Sequence, residues 1–144
     1  MRLSALALLM FAILPAYIAT AEDSIWSALV VARNAEQPKE PSPELARFQT
    51  KLKNVFGYNE FDVIARYSQV MDDPTERWII LSKLFCLRVA AINPGQNIHL
   101  LHLQLFQGER MLVETHAKLG RESPLFIRGP MRGNGQLIIV LLVK

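Results

Sequence analysis

The chain has 144 residues, with sixteen Lys+Arg against thirteen Asp+Glu, a formal charge of +3 and one cysteine. Its charges are spread along the chain rather than gathered into the basic patch that phosphate binding requires, so the sequence indicates no nucleic-acid partner. A lone cysteine, Cys86, excludes an internal disulfide and leaves stability to packing.

Residues 1–21 have the features of an export signal in the expected order. Arg2 is a positive n-region, Leu3 to Ile18 is uncharged, and Ala19-Thr20-Ala21 is an A-x-A cleavage site. The mature chain is expected to begin at Glu22 and to be periplasmic or extracellular, with no membrane span. The alternative is an uncleaved anchor, because the uncharged run from Leu3 to Ala21 approaches the roughly twenty residues that cross a bilayer; Pro15 and the A-x-A ending favour cleavage. Arg2 is the only charged residue before Glu22, so the remainder carries fifteen basic against thirteen acidic residues. Its 123 residues suit one domain with a single core.

Ile25 to Ala32 is rich in β-branched and aromatic residues and predicts a strand. Asn34 to Ser42 is polar, holds two prolines and predicts a linker, so that 22–42 form an N-terminal strand and linker ahead of a domain over 43–144. A helix over about 43–56 follows. Ser42 can cap it, Pro43 fits its first turn, Leu45, Phe48, Leu52, Val55 and Phe56 recur at helical spacing, and Gly57 supplies the stop. Arg47, Lys51 and Lys53 fall mostly off that stripe and form a solvated face.

From Glu60 the period changes to that of strands. Phe61, Val63 and Ala65 begin one that continues toward Val70, and Asp72-Asp73-Pro74-Thr75 predicts a turn. Asp72, Asp73 and Glu76 lack the spacing of a calcium loop and contain Pro74. Arg77 to Ala91 predicts a second extended run interrupted by Lys83, with Cys86 as a buried small apolar side chain inside it. After a turn at Asn93-Pro94-Gly95, the strands Ile98 to Gln107 and Met111 to Lys118 flank Gly108-Glu109 as a hairpin.

The hairpin carries the one candidate cluster for metal or acid-base chemistry. A three-residue loop, Gly108-Glu109-Arg110, sets His102 opposite His116 and Gln104 opposite Glu114, while Leu101, Leu103 and Leu105 face Ala117, Thr115 and Val113. A two-residue loop would set Leu103 against Glu114 and mix the faces. Two imidazoles and a carboxylate on one surface have the chemistry to hold zinc or copper, but structural zinc sites use four ligands and catalytic ones three plus water. His99 points to the opposite face from His102. The expected reading is therefore no metal and no cofactor, with His102, His116 and Glu114 as the only candidates.

Leu125-Phe126-Ile127 predicts a short strand, Gly129 to Gly135 a loop, and Leu137 to Val143 a strand covered on both faces. Gly129, Gly133 and Gly135 beside Arg128 and Arg132 suggest a phosphate loop, but such a loop leads into a helix N-terminus and this one leads into a strand. No G-x-S-x-G or H-E-x-x-H motif is present, and Cys86 has no evident histidine partner in sequence, so no catalytic residue is assigned. The predicted fold is mainly β with one helix: an antiparallel sheet or two-sheet sandwich of six to seven strands with the amphipathic helix packed on it. A membrane β-barrel is disfavoured because the strands do not alternate cleanly between polar and apolar.

Phe56-Gly57-Tyr58 at the helix end, with Gly129-Pro130 and Gly133-Asn134-Gly135-Gln136-Leu137-Ile138 near the C-terminus, resembles uncharacterised small exported bacterial proteins with a helix ending F-G-Y and a closing GP…GxGxLI strand segment. The resemblance spans about residues 43–143, rests on structural glycines and core apolar residues, and implies no catalytic residue, cofactor or partner. These features together predict a non-enzymatic binding or assembly module of the envelope that recognises a protein partner through a sheet face or edge. The alternative is a small ligand-binding or metal-dependent protein that uses the His102/His116/Glu114 surface or the Arg128/Arg132 loop.

Overall fold

A computed structural model of the chain describes residues 24–70, 77–81, 83, 85–91 and 98–144. The expected export signal and the turns at Asp72–Thr75 and Asn93–Gly95 lie outside those residues. The elements in chain order are β1 (Ser24–Arg33), α1 (Pro43–Ala46), α2 (Gln49–Phe56), β2 (Glu60–Val70), β3 (Arg77–Leu81), β4 (Cys86–Ala91), β5 (Ile98–Gln107), β6 (Arg110–Gly120), β7 (Leu125–Arg132) and β8 (Gly135–Val143). The strands form two four-stranded antiparallel sheets, β2-β1-β8-β7 and β3-β4-β5-β6.

β8 shows why the sequence demands layers on both sides. All nine of its residues are buried, and because side chains alternate across a strand, each parity needs its own cover. Leu137, Ile139, Leu141 and Val143, with Ile25 and Leu29 of β1, pack against Leu87, Val89, Leu101, Leu103 and Leu105 of the second sheet. Ile138, Val140 and Leu142, with Ala28 and Val30 of β1, pack beneath Leu45, Phe48 and Leu52 of the helices. The layers are thus helix, sheet, sheet. β1 lies between β2 and β8, so the N-terminal strand is an interior member of the same domain rather than an appendage to it.

The expected single helix over 43–56 is two. α1 ends at Ala46, Arg47 and Phe48 intervene, and α2 then runs to Phe56. Ser42 starts the first turn through its carbonyl, which accepts from Leu45 and Ala46, and its hydroxyl makes no cap. Leu45, Phe48 and Leu52 are buried as the spacing requires, but Val55 is 56% exposed. Gly57, at φ +75°, ends α2 by donating to the Lys53 carbonyl; a residue with a Cβ would be strained in that left-handed conformation.

The linker before α1 is pinned to the sheet. The Asn59 side chain pairs with both backbone groups of Ala35, at 2.8 and 2.9 Å, and the Lys39 amide donates to Glu60 at 3.0 Å. Glu60 also accepts from Arg33, whose guanidinium reaches Asp62 at 2.7 Å.

Three further corrections concern strands. The run Arg77–Ala91 is a hairpin, β3 pairing with β4 so that Leu81 faces Cys86, with exposed Lys83 in the connection; this raises the strand count to eight. Cys86 is half-buried rather than buried, because Phe85, Leu87 and Val89 are the residues of that segment in the core. Gly129 to Gly135 is not a loop. β7 continues to Arg132 and a two-residue turn, Gly133-Asn134 with Gly133 at φ +58°, leads into β8.

Candidate functional site

β5 and β6 pair with His102 opposite His116, Leu103 opposite Thr115, Gln104 opposite Glu114 and Leu105 opposite Val113, as the hydrophobic pattern predicts. The turn itself is shorter than expected. Gly108 and Glu109 form it alone, with Gly108 at φ +60°, and Gln107 pairs with Arg110. The ladder then shifts between Leu105 and Phe106, so that Leu112 has no direct opposite residue. That bulge inserts one residue and recovers the register in which the leucine face stays inward.

The three candidate residues therefore meet on the outer face of the second sheet. The His102 and His116 rings stack at 4.8 Å between centroids and 18° between planes. His102 Nε2 lies 3.1 Å from Glu114 Oε1, and Gln104 Nε2 donates to Glu114 Oε2 at 3.4 Å. The hydrogen bond with His102, and after it that with Gln104, holds the Glu114 carboxyl below the usual carboxylate range. His99 is fully buried on the opposite side, with the inward leucines. Among the described residues no group of three or more His, Cys, Asp or Glu side chains has the arrangement to hold a metal ion.

Arg128 and Arg132 do not form a common anion site. A β-bulge separates them, Arg128 facing Ile138 and Arg132 facing Gly135. The Arg128 guanidinium lies 5.2 Å over the Phe56 ring and reaches Gln136 at 3.4 Å, which binds it to the helix side of its sheet. Arg132 lines a different hollow with Arg33, Asp62 and Asn134.

One concavity between the sheets is not among the sites that the sequence points to. β6 and β7 are the edge strands of the two sheets on the same side of the sandwich, and a cleft of about 400 Å³ opens between them. Leu103 and Leu105 line it from β5, Val113, Thr115 and Ala117 from β6, and Leu125 and Ile127 from β7. Val113 is 40% exposed although it lies opposite fully buried Leu105. A signal was present in the sequence. The inward leucines of β5 are opposed by Ala117, Thr115 and Val113, side chains too small to close the space between sheets about 10 Å apart.

No described strand pairs with the outer edge of β6 or of β7, so each presents backbone N–H and C=O groups beside an apolar trough. β7 is blunted near its end, where Gly129 and Pro130 sit in the bulge opposite Leu137. β6 runs eleven residues with no proline. Natural edge strands are usually shortened, bulged or charged to prevent pairing, and between Val113 and Leu119 the only charges of β6 point outward from the sandwich.

No family model matches the chain, and no curated protein or solved structure matches it. Among the described residues, no helix is long and apolar enough to cross a membrane.

Proposed function

We propose that this protein is an exported, periplasmic, non-enzymatic binding or assembly module that takes a strand of a protein partner along its β6/β7 edge. The observation that carries the reading is the apolar cleft flanked by two edge strands. An added strand gains main-chain hydrogen bonds from β6, and every second side chain enters the trough, which is how sheet edges recognise extended segments. The cleft has the size and the mainly apolar lining of a ligand pocket, and Arg128 and His116, which also line it, are engaged elsewhere: Arg128 lies over Phe56 and His116 stacks on His102. That composition suits apolar side chains on a backbone better than a small charged ligand.

Retention of an envelope protein by the mature chain, compared with Val113→Lys and Thr115→Lys, tests this. Both positions are exposed, so the variants should fold, and each puts a charge at the mouth of the trough. The proposal expects both to lose the partner. Equal retention by parent and variants would refute it.

The convergence of His102, His116 and Glu114 favours one second reading, a metal-dependent or small-ligand surface on the outer face. Zinc-dependent stabilisation of the parent chain is its test.

A further inference from the structure

We infer that the strand received by β6 is β6 of a second copy of this chain, paired antiparallel about a two-fold axis at His116. The inference rests on the edge reading above and names its partner. Three outward residues of β6, Glu114, His116 and Lys118, carry it. In an antiparallel pair of identical strands centred on His116, Glu114 of each copy faces Lys118 of the other, and His116 faces His116. Opposite charges directly across a pair stabilise it and like charges destabilise it.

Centring on Thr115 or Ala117 instead sets Lys118 against Leu112 or against His116, and centring on Glu114 sets the two carboxylates against each other. Only the His116 centre pairs both charges. The same register brings Thr115 opposite Ala117 and Val113 opposite Leu119, which joins the inward faces and covers the exposed side of Val113. A two-fold interface has to be complementary to itself, and the sequence Glu-Thr-His-Ala-Lys is complementary to itself when reversed.

The test uses the mature chain with Cys86→Ser as background. Light scattering after gel filtration should show a dimer. His116→Cys should form an intermolecular disulfide under mild oxidation, since paired antiparallel residues have Cα atoms about 4.5–5.5 Å apart. Glu114→Cys should not, because the two copies of that position lie about four residues apart along the strands, roughly 13 Å. Glu114→Lys and Lys118→Glu should each weaken the dimer roughly tenfold or more, and the double variant should restore it with unchanged circular dichroism.

A parent chain that is monomeric at every concentration overturns the inference, as does a double variant no tighter than either single one. If the monomer still retains a different envelope protein through Val113 and Thr115, only the identity of the partner falls. A dimer indifferent to Val113→Lys and Thr115→Lys overturns the inference, and the edge reading falls with it only if retention of every other envelope protein is equally indifferent to them.

Discussion

Ile139 and Val140 are consecutive residues of β8 buried in two different cores, 1% and 0% exposed. Ile139 faces the second sheet and Val140 faces the helices. One strand thus ties the three layers together.

Ile139→Asp and Val140→Asp are each expected to prevent soluble accumulation, since a buried unpaired charge costs on the order of 3–5 kcal/mol or more, a large share of a small domain's stability. Val140→Ala, which only opens a cavity, should leave a folded chain about 1–3 kcal/mol less stable in urea unfolding. Normal stability of either Asp variant would show that its face is not dry.

Gly135 approaches β1 so closely that an added Cβ would sit 2.7 Å from Val31 Cγ1. Valine in a strand has little rotamer freedom to yield, so Gly135→Ala should destabilise by about 1–3 kcal/mol. Val31→Ala should recover much of that loss in the double variant. Additive losses in the double-mutant cycle would show that the contact is not the cause.

Glu60 gives the fold a dependence on pH. The Lys39 amide, and after it the Arg33 guanidinium, holds its carboxyl below the usual carboxylate range, against the opposing effect of burial. A carboxylate depressed in the folded state contributes stability that is present above its unfolded pKa and is lost as pH falls through its folded pKa. The melting temperature of Glu60→Gln should be lower than the parent's near neutrality, and the gap should narrow as acid is added toward about pH 3. A gap independent of pH would assign the effect to lost hydrogen bonds alone.

The histidine surface is expected to be dispensable. His102→Gln with His116→Gln should leave the melting temperature unchanged with and without zinc. A zinc-dependent rise of several degrees in the parent, absent from the double variant, would establish the metal-dependent reading in place of the edge.

Much of the fold was legible because β8 and β5 state their burial in their parity. Seven apolar residues in a row, Leu137 to Val143, require two covers, and Leu101, Leu103 and Leu105 against polar His102 and Gln104 require one. The same parity placed His102 opposite His116, and a bulge at Leu112 preserved that register although the turn was shorter than expected. Continuity along the chain was harder to read. Helical spacing alone does not reveal the break at Arg47 and Phe48, and a parity pattern that resumes after a short connection makes β3 and β4 look like one strand. The cleft was least legible. It arises because β6 and β7, four residues apart in sequence, belong to different sheets, and only their placement as neighbouring edges leaves a space between them.

The most direct test of the edge as the binding surface is photo-crosslinking in the exporting host, with a photoreactive amino acid placed singly at Val113 and Thr115 on β6, at Ile64 on the far edge strand β2, and at Lys53 on the outer helix face. The account predicts protein adducts at Val113 and Thr115, with twice the mass of the chain if the partner is a second copy, and none above background at Ile64 or Lys53. Adducts at Ile64 or Lys53 with none on β6, or no adduct at any of the four positions, would contradict it.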